Sequence, residues 1–205
     1  FYNVMIKNII FDLAGVVMNL NLERDSEALQ SIGLPNFAEC IKNKDIVAVL
    51  MPYLNGLASE EEFLKVARPL CPKATTDKEI LDAMDAVLDD VPLARIKTIL
   101  ELRKKYRIFM LSNIYASAWQ HIAHQFAIHG YKPEDCFERL FLSYEMQLAK
   151  PDPRIFQQVF SETGINPDET VYFDDSMENI SMGKNLGLHA RLVPMNHLEE
   201  VLGDL

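Results

Sequence analysis

The sequence predicts a doubly wound parallel α/β core into which one block of helices is inserted, and three features predict it. Short apolar runs without alternation are separated by helix-length segments, as in a parallel sheet covered on both faces. Polar residues, Asp12, Ser112-Asn113 and Asp174-Asp175, stand directly after three of those runs. The stretch from 18 to 91, between the first run and the second, carries no strand pattern.

The first strand is read over 6–11, ended by Asp12 and a turn at Ala14-Gly15. Others are expected at 108–111, 140–142, 171–173 and 190–193. Between them fall helices at about 93–105, with Pro92 at the first turn, and at 117–127, where Ser117 and Gln120 have capping-box spacing. Two more are read at 153–162, with Asp152 as N-cap and Pro153 at N1, and at 177–186, ended by Gly187. The insert reads as helices at 23–31, 36–51, 60–70 and 77–88. Ser59-x-x-Glu62 and Thr76-x-x-Glu79 open the last two as capping boxes, and Gly33, Asn55-Gly56 and Cys71-Pro72 punctuate the block. The expected organisation is a core of residues 1–17 and 92–205 with a helical cap of residues 18–91.

The 205 residues suit one core plus a small accessory unit. With 20 Lys and Arg against 30 Asp and Glu, the formal net charge of −10 makes the chain a poor candidate for binding nucleic acid or an anionic membrane surface. No apolar run is long enough to span a bilayer; Ile6 to Leu20 is broken by Lys7, Asn8, Asp12, Gly15 and Asn19. The N-terminus does not read as a signal peptide. Cys40, Cys71 and Cys136 are far apart, with no CxxC, which fits a reducing cytoplasm.

Ligands of open α/β sheets bind beyond the carboxyl ends of the strands, and four polar sites are expected there. Asp12, at a strand end beside a flexible turn, can present its carboxylate as a nucleophile. Ser112 and Asn113 offer a hydroxyl and backbone N–H groups to phosphate oxygens. In Ala149-Lys150-Pro151-Asp152-Pro153 the prolines restrict the loop and can aim Lys150 inward as a fixed positive charge. Adjacent Asp174 and Asp175 are costly unless a cation neutralises them, and Mg²⁺, which prefers carboxylate and water oxygens, is the natural one. Read singly, each site has a plainer explanation in loop capping, turn chemistry or a solvated lysine.

Taken together, the order and placement of these four sites resemble the haloacid dehalogenase superfamily over essentially the whole chain. The Phe-Asp-Leu-x-x-Val-Val start, Leu-Ser-Asn, Ala-Lys-Pro-Asp-Pro and Phe-Asp-Asp-Ser-x-x-Asn are similar to its bacterial glucose-1-phosphatase-like branch. The resemblance implies a Rossmann-like core with a cap, and a Mg²⁺-dependent phosphatase acting on a small phosphorylated metabolite, such as a sugar phosphate. Asp12 would be the nucleophile. Ser112, Asn113 and Lys150 would hold phosphoryl oxygens. Asp12, the Ala14 carbonyl and Asp175 would ligate the metal directly, with Asp174 acting through water and Asn179 orienting the acidic loop. Most phosphatases of the superfamily place an acid–base Asp where this chain has Ala14, although some members of the branch lack it. Two alternatives stand beside this reading. One is a 2-haloacid dehalogenase, which needs no metal; the other is a catalytically weak binding or regulatory protein, for which Ala14 is the support. Asn55-Gly56 would approach the site from the cap by the same analogy. His121 and His124 share a helix face without further ligands and read as structural, as does Trp119.

Overall fold

The computed structural model describes residues 5–203. Five parallel strands form one sheet in the order β3-β2-β1-β4-β5: β1 (Asn8–Phe11), β2 (Arg107–Ser112), β3 (Arg139–Leu142), β4 (Thr170–Asp174) and β5 (His189–Leu192). Central β1 is buried along its whole length. Its alternate side chains feed two apolar layers, as a period of two requires. Ile9 and Phe11 pack on one face with Ile96, Ile99, Ile122 and Phe126; Ile10 packs on the other with Ile155, Phe156, Val159 and Ile180. The first face is covered by α6 (Leu93–Leu102) and α7 (Ala116–Ile128), the second by α10 (Pro153–Thr163) and α11 (Met177–Asn185).

The segment between β1 and α6 carries five α-helices: α1 (Leu22–Ser31), α2 (Phe37–Cys40), α3 (Lys44–Leu54), α4 (Glu60–Ala67) and α5 (Asp77–Asp85). Both expected capping boxes are present, with Ser59 and Thr76 each exchanging hydrogen bonds with the Glu three residues on. The helix read over 36–51 is broken because Asn43 turns its side chain onto the N–H groups of Asp45 and Ile46 and starts a new helix. The helix read to 88 stops at Asp85 because the chain leaves to pair with residues 19–21. Asn19 N–H donates to Asp90 O at 2.9 Å and Asn21 N–H to Val87 O at 2.8 Å. Capping at Ser117 is also not observed. Helix α7 starts one residue earlier, after Tyr115, and the Ser117 hydroxyl meets Tyr53 OH instead. Short α8 (Pro133–Cys136) and α9 (Ser143–Met146) flank β3 and were not signalled by any periodicity.

The connection near residue 20 is clamped from the core. Buried Arg95 donates to Val17 O, Asn19 Oδ1, Asn196 O and Glu199 Oε2. The Asn196 side chain both accepts from Leu20 N–H and donates to Leu20 O. No helix among the described residues is long and apolar enough to cross a membrane.

Candidate active site

Connections leave β1 toward β2 on one side of the sheet, while β4 continues to β5 on the other. The crevice at this reversal is where such folds bind ligands. Asp12 follows β1 there, and Asp174 is the last residue of its neighbour β4. Ligand oxygens of Asp12, Asp174 and Asp175 lie within 4.8 Å of one another, and no other group of three or more such residues converges among those described. No third such residue joins His121 and His124 among those described.

Lys150 reaches into this cluster with its side chain almost wholly buried. Its Nζ lies 2.8 Å from Asp12 Oδ1 and 2.7 Å from Asp174 Oδ2. Three carboxylates thus converge around one ammonium, which pairs directly with two of them. Burial pushes the Asp12 carboxyl up to about 7; Lys150 opposes the rise, and the charges of Asp174 and Asp175 add to it. Burial also works against the Lys150 ammonium, but the attraction of Asp12 and Asp174 outweighs it and holds the lysine above its ordinary range. Burial likewise raises Asp175, with Asp174 contributing repulsion. A hard cation fits this donor set, because only oxygens converge and negative charge is in excess.

The two adjacent acids are not equivalent. Asp174 is fully buried, and both its oxygens are occupied. Oδ1 accepts from Ser176 N–H at 2.8 Å and from Asn179 Nδ2 at 3.0 Å; Oδ2 accepts from Lys150 and from Tyr172 OH. Asn179 therefore orients Asp174, as its place one turn into α11 suggested. Tyr172 was missed. The signal was available, since residues two apart on a strand share a face, which puts this phenol beside Asp174. The Asp175 side chain is partly exposed and makes no hydrogen bond to another side chain among the described residues.

The turn after β1 is built for close approach. Leu13 O accepts from Val16, Val17 and Met18 N–H, and Gly15, at φ +76°, donates to Met18 O. Leu13 N–H holds Asp12 Oδ1 at 2.7 Å. The Ala14 carbonyl receives no hydrogen bond from the described residues, and its side chain supplies no proton donor. At the end of β2, Ser112 is a buried residue. Next to it, Asn113 Oδ1 accepts from Lys150 N–H and its Nδ2 donates to Lys150 O, both at 2.8 Å. The Asn113 side chain thus clasps the lysine loop, whose Lys150–Pro151 peptide is cis, and the phosphate contact expected of this residue falls to its backbone N–H.

Fold and site together define a hydrolase of the parallel α/β class with a carboxylate-rich centre at the switch point. The chain belongs to the haloacid dehalogenase-like hydrolase family, whose profile matches residues 6–187. It is 31% identical over 185 residues to D-ribitol-5-phosphate phosphatase of Bacteroides thetaiotaomicron, covering 89% of each chain. The crystal structure of a HAD family enzyme of that organism, in complex with magnesium and inorganic phosphate, superimposes with a TM-score of 0.84 at 34% identity, covering 94% of this chain and 96% of the other. A HAD-like family hydrolase from Porphyromonas gingivalis is similar at 29% identity and a TM-score of 0.82, covering 94% and 93%.

Proposed function

We propose that the protein is a Mg²⁺-dependent phosphatase that hydrolyses a small phosphorylated metabolite, of the sugar or polyol phosphate class, through an aspartyl-phosphate on Asp12. The observation that carries this reading is the surplus of negative charge around Lys150: three converging carboxylates and one ammonium. A dehalogenase would leave that surplus unneutralised; a phosphatase fills it with the cation that phosphoryl transfer uses. The relatives, a D-ribitol-5-phosphate phosphatase and a HAD family enzyme in complex with magnesium and inorganic phosphate, agree with it.

Asp12, Asp175 and the Ala14 carbonyl would hold the metal, which when bound offsets charge on the phosphoryl oxygens. Asp12 Oδ1 is already held by Leu13 N–H and Lys150, so the other oxygen is the one to attack phosphorus. The bond to the leaving oxygen breaks, and that oxygen keeps the electron pair. Ala14 can donate nothing, so water or the substrate itself supplies the proton. Lys150 and the Ser112 hydroxyl hold the equatorial oxygens, where charge is stabilised in the transition state. A water then attacks the phosphorus of the acyl phosphate, releasing inorganic phosphate and restoring Asp12.

Residues 18–91 serve in this reading as a cap that excludes water. Since Arg95 and Asn196 fasten residues 17–20 to the core, the pivot of the cap falls beyond Leu20.

Release of para-nitrophenol from its phosphate, measured with Mg²⁺ and with EDTA, tests the reading. Metal-dependent turnover is expected, falling to background in Asp12→Asn. Halide release from 2-haloacids without metal, and no turnover of any phosphate, would replace it.

A further inference from the structure

The Asn55-Gly56 pair has a definite place at the site. Helix α3 ends in a Schellman motif: Gly56 N–H donates to Tyr53 O at 2.8 Å and Leu57 N–H to Pro52 O at 2.7 Å, with Gly56 at φ +70°. A Cβ at Gly56 would collide with Ile114 O and with Tyr144, so this turn abuts the loop after β2. The closeness carries the C-cap residue, Asn55, onto Asn113, whose Nδ2 donates to Asn55 Oδ1 at 3.1 Å.

Asn113 is thereby pinned at every position that matters. One amide hydrogen goes to Lys150 O and the other to Asn55 Oδ1, while its oxygen takes Lys150 N–H. Turning the amide over would set its NH₂ against Lys150 N–H and leave two carbonyl oxygens facing Asn113 Oδ1. The Lys150 backbone N–H and C=O fix which way the amide points, and Asn55 Oδ1 adds a third hydrogen bond that holds it there. The side chain of the clasped lysine bridges Asp12 and Asp174.

We propose that Asn55 is a positioning residue, which acts through Asn113 to set the Lys150 backbone and hence the ammonium that faces the nucleophile. Docking of the 52–58 turn then completes the site. The inference rests on the phosphatase reading for the role of Lys150, but the hydrogen-bond chain is testable without it. The feature it requires at position 55 is an acceptor oxygen, not an amide.

The test compares wild type, Asn55→Ala and Asn55→Asp by steady-state kinetics on para-nitrophenyl phosphate with saturating Mg²⁺, and by NMR amide exchange at Lys150 in the metal-free protein. Thermal melting establishes that each variant is folded. Loss of the acceptor is expected to lower kcat about 10-fold, the lower end of what outer-shell partners carry, with KM changed far less. It should also speed Lys150 amide exchange by a similar factor. Asn55→Asp, which keeps an acceptor, should restore both. Unchanged exchange in Asn55→Ala overturns the proposal, whether kcat falls or not, and so does failure of Asn55→Asp to restore exchange. If wild type hydrolyses no phosphate, the phosphatase reading fails, while faster exchange in Asn55→Ala still upholds the coupling.

Discussion

The Asp175 carboxylate lies over the Cα of Gly15, in the space where a side chain at that position would begin. The turn after β1 and the acidic loop after β4 are fitted to each other at this point, and the left-handed backbone of Gly15 is part of the fit.

Gly15→Ala should therefore do two things. The positive φ alone costs about 1–2 kcal/mol for a residue with a Cβ, which lowers the melting temperature. The new methyl group also displaces Asp175, so Mg²⁺ affinity should fall along with turnover. Calorimetry showing wild-type Mg²⁺ affinity in the folded variant would contradict this.

The neighbours Asp174 and Asp175 should fail differently. Asp175→Ala removes a partly exposed carboxylate and should weaken Mg²⁺ binding and turnover in a protein that melts near the wild-type temperature. Asp174→Ala strips the acceptor from Lys150, Tyr172 and Asn179 inside the core. Breaking such a buried pair costs about 3–5 kcal/mol, so lost stability should dominate. Equal melting temperatures for the two variants would refute the division of roles.

Ala14→Asp should restore a proton donor beside the nucleophile. A positioned acid contributes about 10²–10⁴-fold, and most for a basic leaving group. Turnover of alkyl phosphate monoesters should rise more than that of para-nitrophenyl phosphate, whose leaving group needs little help. With Mg²⁺ affinity shown to be intact, an equal change for both substrates would mean that a missing acid does not limit the enzyme.

Asp85 ends α5, where unpaired carbonyls disfavour a negative charge, and Tyr115 OH donates to it at 2.7 Å. Burial raises its pKa above the ordinary 3.8; the Tyr115 hydrogen bond and His121 oppose the rise, and Asp82 adds to it. The folded state therefore binds the proton more tightly than the unfolded chain. The contribution of Asp85 to stability is complete below pH 3.8 and is lost as pH rises through the folded-state value. Asp85→Asn keeps an acceptor for Tyr115 and removes the charge. It should melt above wild type at pH 7, with the advantage shrinking toward pH 4. A difference in melting temperature that stays constant from pH 4 to pH 8 would rule this out.

Much of the site was legible because its chemistry is local to strand ends. An unalternating run such as Val171-Tyr172-Phe173 announces a buried parallel strand, and the acids directly after it must stand at the ligand-binding edge. The capping boxes at Ser59 and Thr76 were equally readable, since every partner lies within one helical turn. Capping at Ser117 failed for the complementary reason: its hydroxyl is claimed by Tyr53, a residue far away in the chain, and no local spacing records that competition.

Residue types and their order along the chain thus established the parallel α/β class and which side chains stand at the ends of the strands. Hydrophobic period and capping act over a few residues, so both can be read from neighbours alone. Which partner each polar group takes was settled by packing between distant segments. The Asn113 side chain clasps Lys150 because the loop after β3 crosses beside it; Asn55 meets Asn113 because Gly56 lets α3 end against Ile114. Hydrogen bonds are satisfied wherever folding brings donor and acceptor together, and an amide offers both; its sequence position leaves that choice open until the chain has closed around it.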